Sequence, residues 1–235
     1  FVFDFCCNLE YFSQPDAGAE GSLQKSLSQR LFEARLTLLS GLDALGPPPA
    51  PGDGTASEHG LRRDLAHHLH TIVLGMNPDN FLVRARRQWV EKWSAPGPWQ
   101  NLSAEAAAEA SEQLAALPSA ISDDDEDAKR FDLLILTLQL ALLEQDRPLV
   151  DRLRSKVQAV AGNLLGKTAI PAVAKQAELL GELEGEGWWA EVTLPLLELA
   201  RRRVRSLVAL ADQGSKQPVY SDFADELGEA TELDL

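Results

Sequence analysis

The stretch that decides the fold is Lys129-Arg130-Phe131-Asp132-Leu133-Leu134-Ile135-Leu136-Thr137-Leu138-Gln139-Leu140-Ala141-Leu142-Leu143. It contains neither Gly nor Pro, and leucine dominates it. Leucine, alanine and glutamine are good helix formers. Its apolar residues do not keep to one stripe but run nearly all round the helix, the mark of a helix buried on every side. Carboxylates precede it, Asp123 to Asp127 forming an unbroken acidic run. Negative charge there complements the positive end of the helix dipole, and Ser122 is the expected N-cap. The run lacks the Gly and the ligand alternation of a calcium loop. A central buried helix requires others around it.

Those neighbours are legible on both sides. Upstream, Leu27, Leu31, Ala34, Leu38 and Leu42 recur at helical spacing until Gly46, and Pro47-Pro48-Pro49 forbids continuation. Residues 46–60 are Pro, Gly, Ala and Ser in the main and read as a flexible linker. Leu61, Leu65, Leu69, Ile72, Val73 and Met76 form a second apolar face, closed by Asn77-Pro78. Residues 81–93 make a shorter helical stretch. Ser103 caps an Ala/Glu-rich helix that Pro118 stops. Downstream, Leu149, Leu153, Val157, Val160 and Leu164 mark a helix after Pro148. Another starts at Ile170-Pro171, and a last one runs from Thr193 to Ala211. The reading is an all-α chain of about seven helices. The expected organisation is 1–22 as the end of an upstream domain, 23–45 a connecting helix, 46–60 a linker, 61–212 the helical domain and 213–235 an acidic tail.

Phe1-Val2-Phe3-Asp4-Phe5 breaks this pattern. It reads as a short buried strand, and the rest of the chain offers no sheet to receive it. The expectation is a piece of a longer protein whose sheet lies upstream.

Charge and motifs narrow the chemistry. The chain has 235 residues, with 36 acids against 22 Lys and Arg, a formal net charge of −14. A uniformly basic nucleic-acid surface is excluded. No apolar run reaches the roughly 18–20 residues of a membrane helix. The two cysteines, Cys6 and Cys7, are adjacent and cannot staple distant segments, so a reducing cytoplasm is expected. There is no G-x-x-x-x-G-K-[ST] loop, no G-x-G-x-x-G, no C-x-x-C and no H-E-x-x-H. The nucleophile elbow G-x-S-x-G is missing as well.

Scattered residues remain as candidates. Asp64, His67, His68 and His70 share helix faces and could in principle ligate zinc, although the plainer reading is polar residues beside the Leu61–Leu65–Ile72 face. Arg84, Arg86 and Arg87 lie beside Trp89, Lys92 and Trp93 in a segment, 61–120, whose six acids balance six bases. Guanidinium forks suit phosphate oxygens and carboxylates equally. Arg201, Arg202, Arg203 and Arg205 are better read as internal ion pairs. Trp188-Trp189 reads as core. The tail carries six acids between Asp222 and Asp234 and no base, with Val219, Tyr220 and Phe223 as anchors that could dock on a partner.

An ordered set of segments resembles one family. Met76-Asn77-Pro78-Asp79-Asn80-Phe81-Leu82-Val83-Arg84 with Trp89-Val90-Glu91-Lys92 is similar to a stretch beyond the motor domains in R subunits of type I restriction enzymes. Lys129 to Leu134 with Leu138 to Leu143 resembles their central helix. Pro218-Val219-Tyr220-Ser221-Asp222-Phe223-Ala224-Asp225-Glu226 resembles their C-terminal signature, and Ser28-Gln29-Arg30-Leu31 also fits. Phe3-Asp4-Phe5-Cys6, near Asn8 and Phe12, looks like the last strand of the second RecA-like motor. The resemblance implies a helical coupling region that packs on its own upstream motor domains and links them to the methyltransferase and specificity subunits. Double-stranded DNA is a possible further partner, and on this reading Arg84, Arg86, Arg87 and Lys92 contact either the DNA backbone or the motor, with pairing to the chain's own acids the equal alternative for the arginines. ATP and Mg²⁺ belong to the upstream domains; no catalytic residue, metal ligand or cofactor site is carried onto this chain. Residues 46–60, Pro78 and the Cys6-Cys7 pair depart from the family pattern. The rival readings are a stand-alone helical adaptor without DNA binding, and a metal-dependent hydrolase using Asp64, His67 and His68.

Overall fold

The computed structural model describes residues 25–46, 57–121 and 125–212. The expected strand at Phe1–Phe5 and the tail anchors Val219, Tyr220 and Phe223 lie outside them. So does most of the expected linker.

The described residues are all-helical. Six helices form the frame: α1 (Leu27–Ala44), α2 (Glu58–Leu74), α5 (Ala104–Leu114), α6 (Glu126–Leu143), α7 (Arg147–Leu165) and α11 (Leu194–Val204). Shorter pieces join them: α3 (Phe81–Ala85), α4 (Arg87–Ser94), α8 (Pro171–Ala174), α9 (Ala177–Glu184), α10 (Gly187–Ala190) and α12 (Val208–Asp212). Single 3-10 turns fill Gly97–Trp99 and Arg205–Leu207.

Side-chain caps fix several starts. Ser26, Ser57, Asn80, Ser103, Asp146 and Thr193 each accept a backbone N–H of the first turn. Two boundaries differ from the sequence reading. The cap of α6 is Asp125, which accepts from Ala128 N, and the helix begins at Glu126 rather than after Ser122. A carboxylate caps as well as a hydroxyl and adds the dipole term. Helix α2 starts at Glu58, inside the stretch expected as linker, because Ser57 accepts from Gly60 N. The stretch 81–93 is two helices broken at Arg86, and the final helix is divided by the Arg205–Leu207 turn.

Helix α6 is the axis. Phe131, Leu134, Ile135, Leu138 and Ala141 face a cluster built with α7, α9 and α11. Leu136, with Leu133, Leu140 and Leu143, faces the other way, into a cluster made by α1, α2, α4 and α5. Helix α1, expected as a connector, packs along α6 and buries Leu31, Phe32, Leu36, Leu38, Leu39 and Leu42. Two polar ties hold the periphery. Asp43 on α1 accepts from Arg62 Nε and Nη2, both at 2.8 Å, and from Leu102 N at 2.7 Å. Gln139, fully buried on α6, donates to Leu194 O at the start of α11.

Candidate functional site: a cationic groove around Asp132

Asp132 is the one acid within the Phe131–Leu143 run, and its side chain is 3% exposed. Position 132 lies nearly two turns inside α6, on the side where α1 and α11 meet it. An ionised carboxylate is tolerable there only with cations and hydrogen bonds around it. Arg201 on α11 donates to its Oδ1 at 2.7 Å, and Arg205, one turn later, straddles both oxygens at 3.1–3.3 Å. Arg35 of α1 stands at 3.7 Å from Oδ2. Arg201 also grips the buried Glu198 through two parallel bonds of 2.8 Å, and Arg202 joins Glu198 at 2.7 Å to Asp64 on α2 at 2.8 Å. One ionic chain thus links α1, α2, α6 and α11.

The charges set one another's acidity. Burial alone would raise the Glu198 carboxyl, but the hydrogen bonds and charges of Arg201 and Arg202 hold it below the ordinary range. Asp64 is depressed in the same way, against its partial burial, by Arg202 and Arg63. Burial would lower Arg201, yet Glu198 and Asp132 raise it. Arg35 behaves in the opposite sense. Desolvation, and then the charge of Arg201, push it down to about 10. His68 opens partly on solvent, yet its apolar surroundings and the charges of Arg35 and Arg201 push it down to about 4, keeping it neutral.

These residues line a groove of about 860 Å³. Arg35, Asp132, Arg201 and Arg205 line it, as do the apolar Leu114, Leu82 and Ile121.

The other candidates fall elsewhere. His70 shares a hydrogen bond with Ser94 O at 2.8 Å, and Asp64 is held by Arg202. Among the described residues no group of three or more His, Cys, Asp or Glu stands together as a metal site. Arg86 bonds Gln113, Arg87 pairs with Glu91 at 2.7 Å, and Lys92 pairs with Glu109 while lying over the Trp89 and Trp93 rings. Among the described residues no ion pair engages Arg84, which is exposed in the last turn of α3. Trp189 is buried and donates to Leu183 O, and Trp188 meets it edge-on at 5.0 Å.

Sequence reading found the arginines of α11 but missed their centre. The signal was present: a lone carboxylate inside the most apolar helix demands cations from elsewhere, and the densest supply is Arg201–Arg205. Arg35 carried no such signal. Compared with known proteins, the chain matches no family model, no curated protein and no solved structure.

Proposed function

We propose that this chain is the C-terminal helical coupling region of the R subunit of a type I restriction enzyme, an ATP-dependent endonuclease and DNA translocase. The reading starts from the ordered resemblance of the sequence segments. The observation that supports it is mechanical: two hydrophobic clusters share α6 and are cross-tied by the Asp132 network. Close-packed interiors are hard to deform and transmit strain. A body of this kind suits a part that carries force between a motor and a methyltransferase–specificity core. ATP, Mg²⁺ and the nuclease centre would belong to upstream domains, in a cytoplasmic enzyme. Contact with a DNA backbone would centre on Arg84, with Arg86, Arg87 and Lys92 exchanging their present partners for phosphate.

That exchange is the weak joint, and it favours a second reading. Arg86, Arg87 and Lys92 already have partners on their own surface. A helical adaptor that binds protein and no DNA would look the same. Titration of labelled duplex DNA at low and moderate salt separates the two. The coupling reading expects weak binding that falls steeply with salt and is abolished by Arg84→Glu with Arg87→Glu. No detectable binding at low salt supports the adaptor. The restriction reading itself is tested by the coding sequence upstream: it requires a G-x-x-x-x-G-K-[ST] loop a few hundred codons before Phe1, and without one it fails.

A further inference from the structure

Arg35 is a half-buried cation with no hydrogen-bond acceptor among the described residues. Its side chain is 11% exposed, and its sole ion pair among the described residues, to Asp132, is 3.7 Å long. That distance lies outside hydrogen-bond range. Asp132 cannot serve it better, because Arg201 and Arg205 already occupy both carboxylate oxygens. The second buried acid, Glu198, is taken by Arg201 and Arg202. Among the described residues the planar fork of Arg35 is therefore uncommitted, and it lines the groove, where it can hold a carboxylate through two parallel bonds. The same groove is also lined by uncovered apolar side chains. Leu82 is 53% exposed and Ile121 48%, and Phe81, at 74%, adjoins Leu82. The groove asks for an occupant with a carboxylate beside an aromatic or aliphatic group.

We propose that this occupant is the chain's own acidic segment Val219–Glu226, with one of its carboxylates on Arg35 and its aromatic side chains against Leu82 and Ile121. The segment has the required chemistry: Tyr220 and Phe223 alternate with Asp222, Asp225 and Glu226, and no Lys or Arg follows Lys216. It also has the reach. Arg205 lies on the groove seven residues before Asp212, where α12 ends, and six residues separate Asp212 from Val219. Six residues span up to about 20 Å when extended. A tether this short gives an effective concentration of order millimolar, so weak contacts suffice. The inference stands apart from the coupling reading, and its failure would leave that reading untouched.

Hydrogen-exchange mass spectrometry on the whole chain tests it. Amides of 219–226 should exchange about tenfold or more slowly than those of a synthetic peptide of residues 213–235. Arg35→Met and, separately, Tyr220→Ser with Phe223→Ser should each return them to the peptide's rate, while α6 amides stay protected. The double substitution lies outside the described core, so it keeps the test sound if Arg35→Met disturbs folding. Peptide-like exchange in the unaltered chain overturns the proposal. So does protection that survives the double substitution, and so does protection lost on about hundredfold dilution, which would mean the segment of a second copy.

Discussion

Asp132 concentrates the energetics of the molecule in one side chain. Three arginines, from α1, α11 and the turn that follows α11, converge on it, and only one of them, Arg201, reaches a hydrogen bond as short as 2.7 Å. Removing the carboxylate charge while keeping the shape takes away the ion pair of Arg35 and one acceptor each from Arg205 and from Arg201, which retains Glu198. Asp132→Asn is therefore expected to destabilise by about 3–5 kcal/mol, measured by urea denaturation. Arg35→Met should behave differently. It takes away a desolvated cation whose pair with Asp132 is long, and Asp132 keeps Arg201 and Arg205, so the same measurement should find a loss well below that of Asp132→Asn. A value near that of Asp132→Asn would contradict the account of Arg35 as the uncommitted member. His68 gives the pH dependence. Its folded pKa, about 4, lies below the 6.5 of an unperturbed imidazole, so between these values the unfolded state binds the extra proton. Its stabilisation is complete above about pH 6.5 and is lost as pH falls towards 4. The depressed Glu198 and Asp64 act in the same direction at lower pH. Melting temperatures should fall on acidification from pH 6.5, and His68→Gln should flatten the first part of that fall.

Among the elements, α6 and its ends are the most constrained. The helix closes on Gln145, whose φ of +59° lies in the left-handed region, and Asp146 N then donates to Ala141 O at 2.9 Å. A residue with a Cβ is strained there, so Gln145→Gly should stabilise by about 0.5–1 kcal/mol in thermal melts. Gly75, at the end of α2, shows the converse. A Cβ would approach Ser119 Oγ at 2.6 Å and Ile121 Cγ1 at 2.7 Å, with the Ile121 backbone N at 3.2 Å. The connection 118–121 is also tied to this point by Ala120 N donating to Gly75 O at 2.8 Å. Backbone cannot withdraw as a side-chain tip can, so Gly75→Ala is expected to cost about 1–3 kcal/mol despite alanine's better helix propensity. Helix existence was readable from periodicity and from Pro and Gly punctuation. The breaks at Arg86 and within the last helix were not, since no Gly or Pro marks them and only packing against α2 and α7 sets the new directions.

At the scale of the whole molecule, the two clusters share α6 and are bridged by ionic bonds from α2 to α11 and from α1 to α6. Neither can open without exposing one face of that helix, so unfolding should be a single cooperative transition, with fluorescence and circular dichroism midpoints coinciding. Leu138, fully buried, should cost about 2–5 kcal/mol as Leu138→Ala and shift both probes together. Two separated transitions would show that the clusters are independent. The sequence by itself determined the all-helical class and the central place of Phe131–Leu143, because apolar period and helix caps are local properties; it favoured internal pairing for Arg201, Arg202, Arg203 and Arg205, and among the described residues Arg203 alone of the four is exposed with no ion pair. The convergence of Arg35, Asp64, Asp132 and Glu198 on one groove was decided only by tertiary structure. These residues come from four helices up to 163 positions apart in the chain, from Arg35 to Glu198. Which of their partners meet depends on how those helices pack, and no spacing rule reaches across that distance. The pairing of Arg87 with Glu91 and of Lys92 with Glu109 belongs to both levels: the first is an i,i+4 neighbour on one helix, the second exists because α4 and α5 touch.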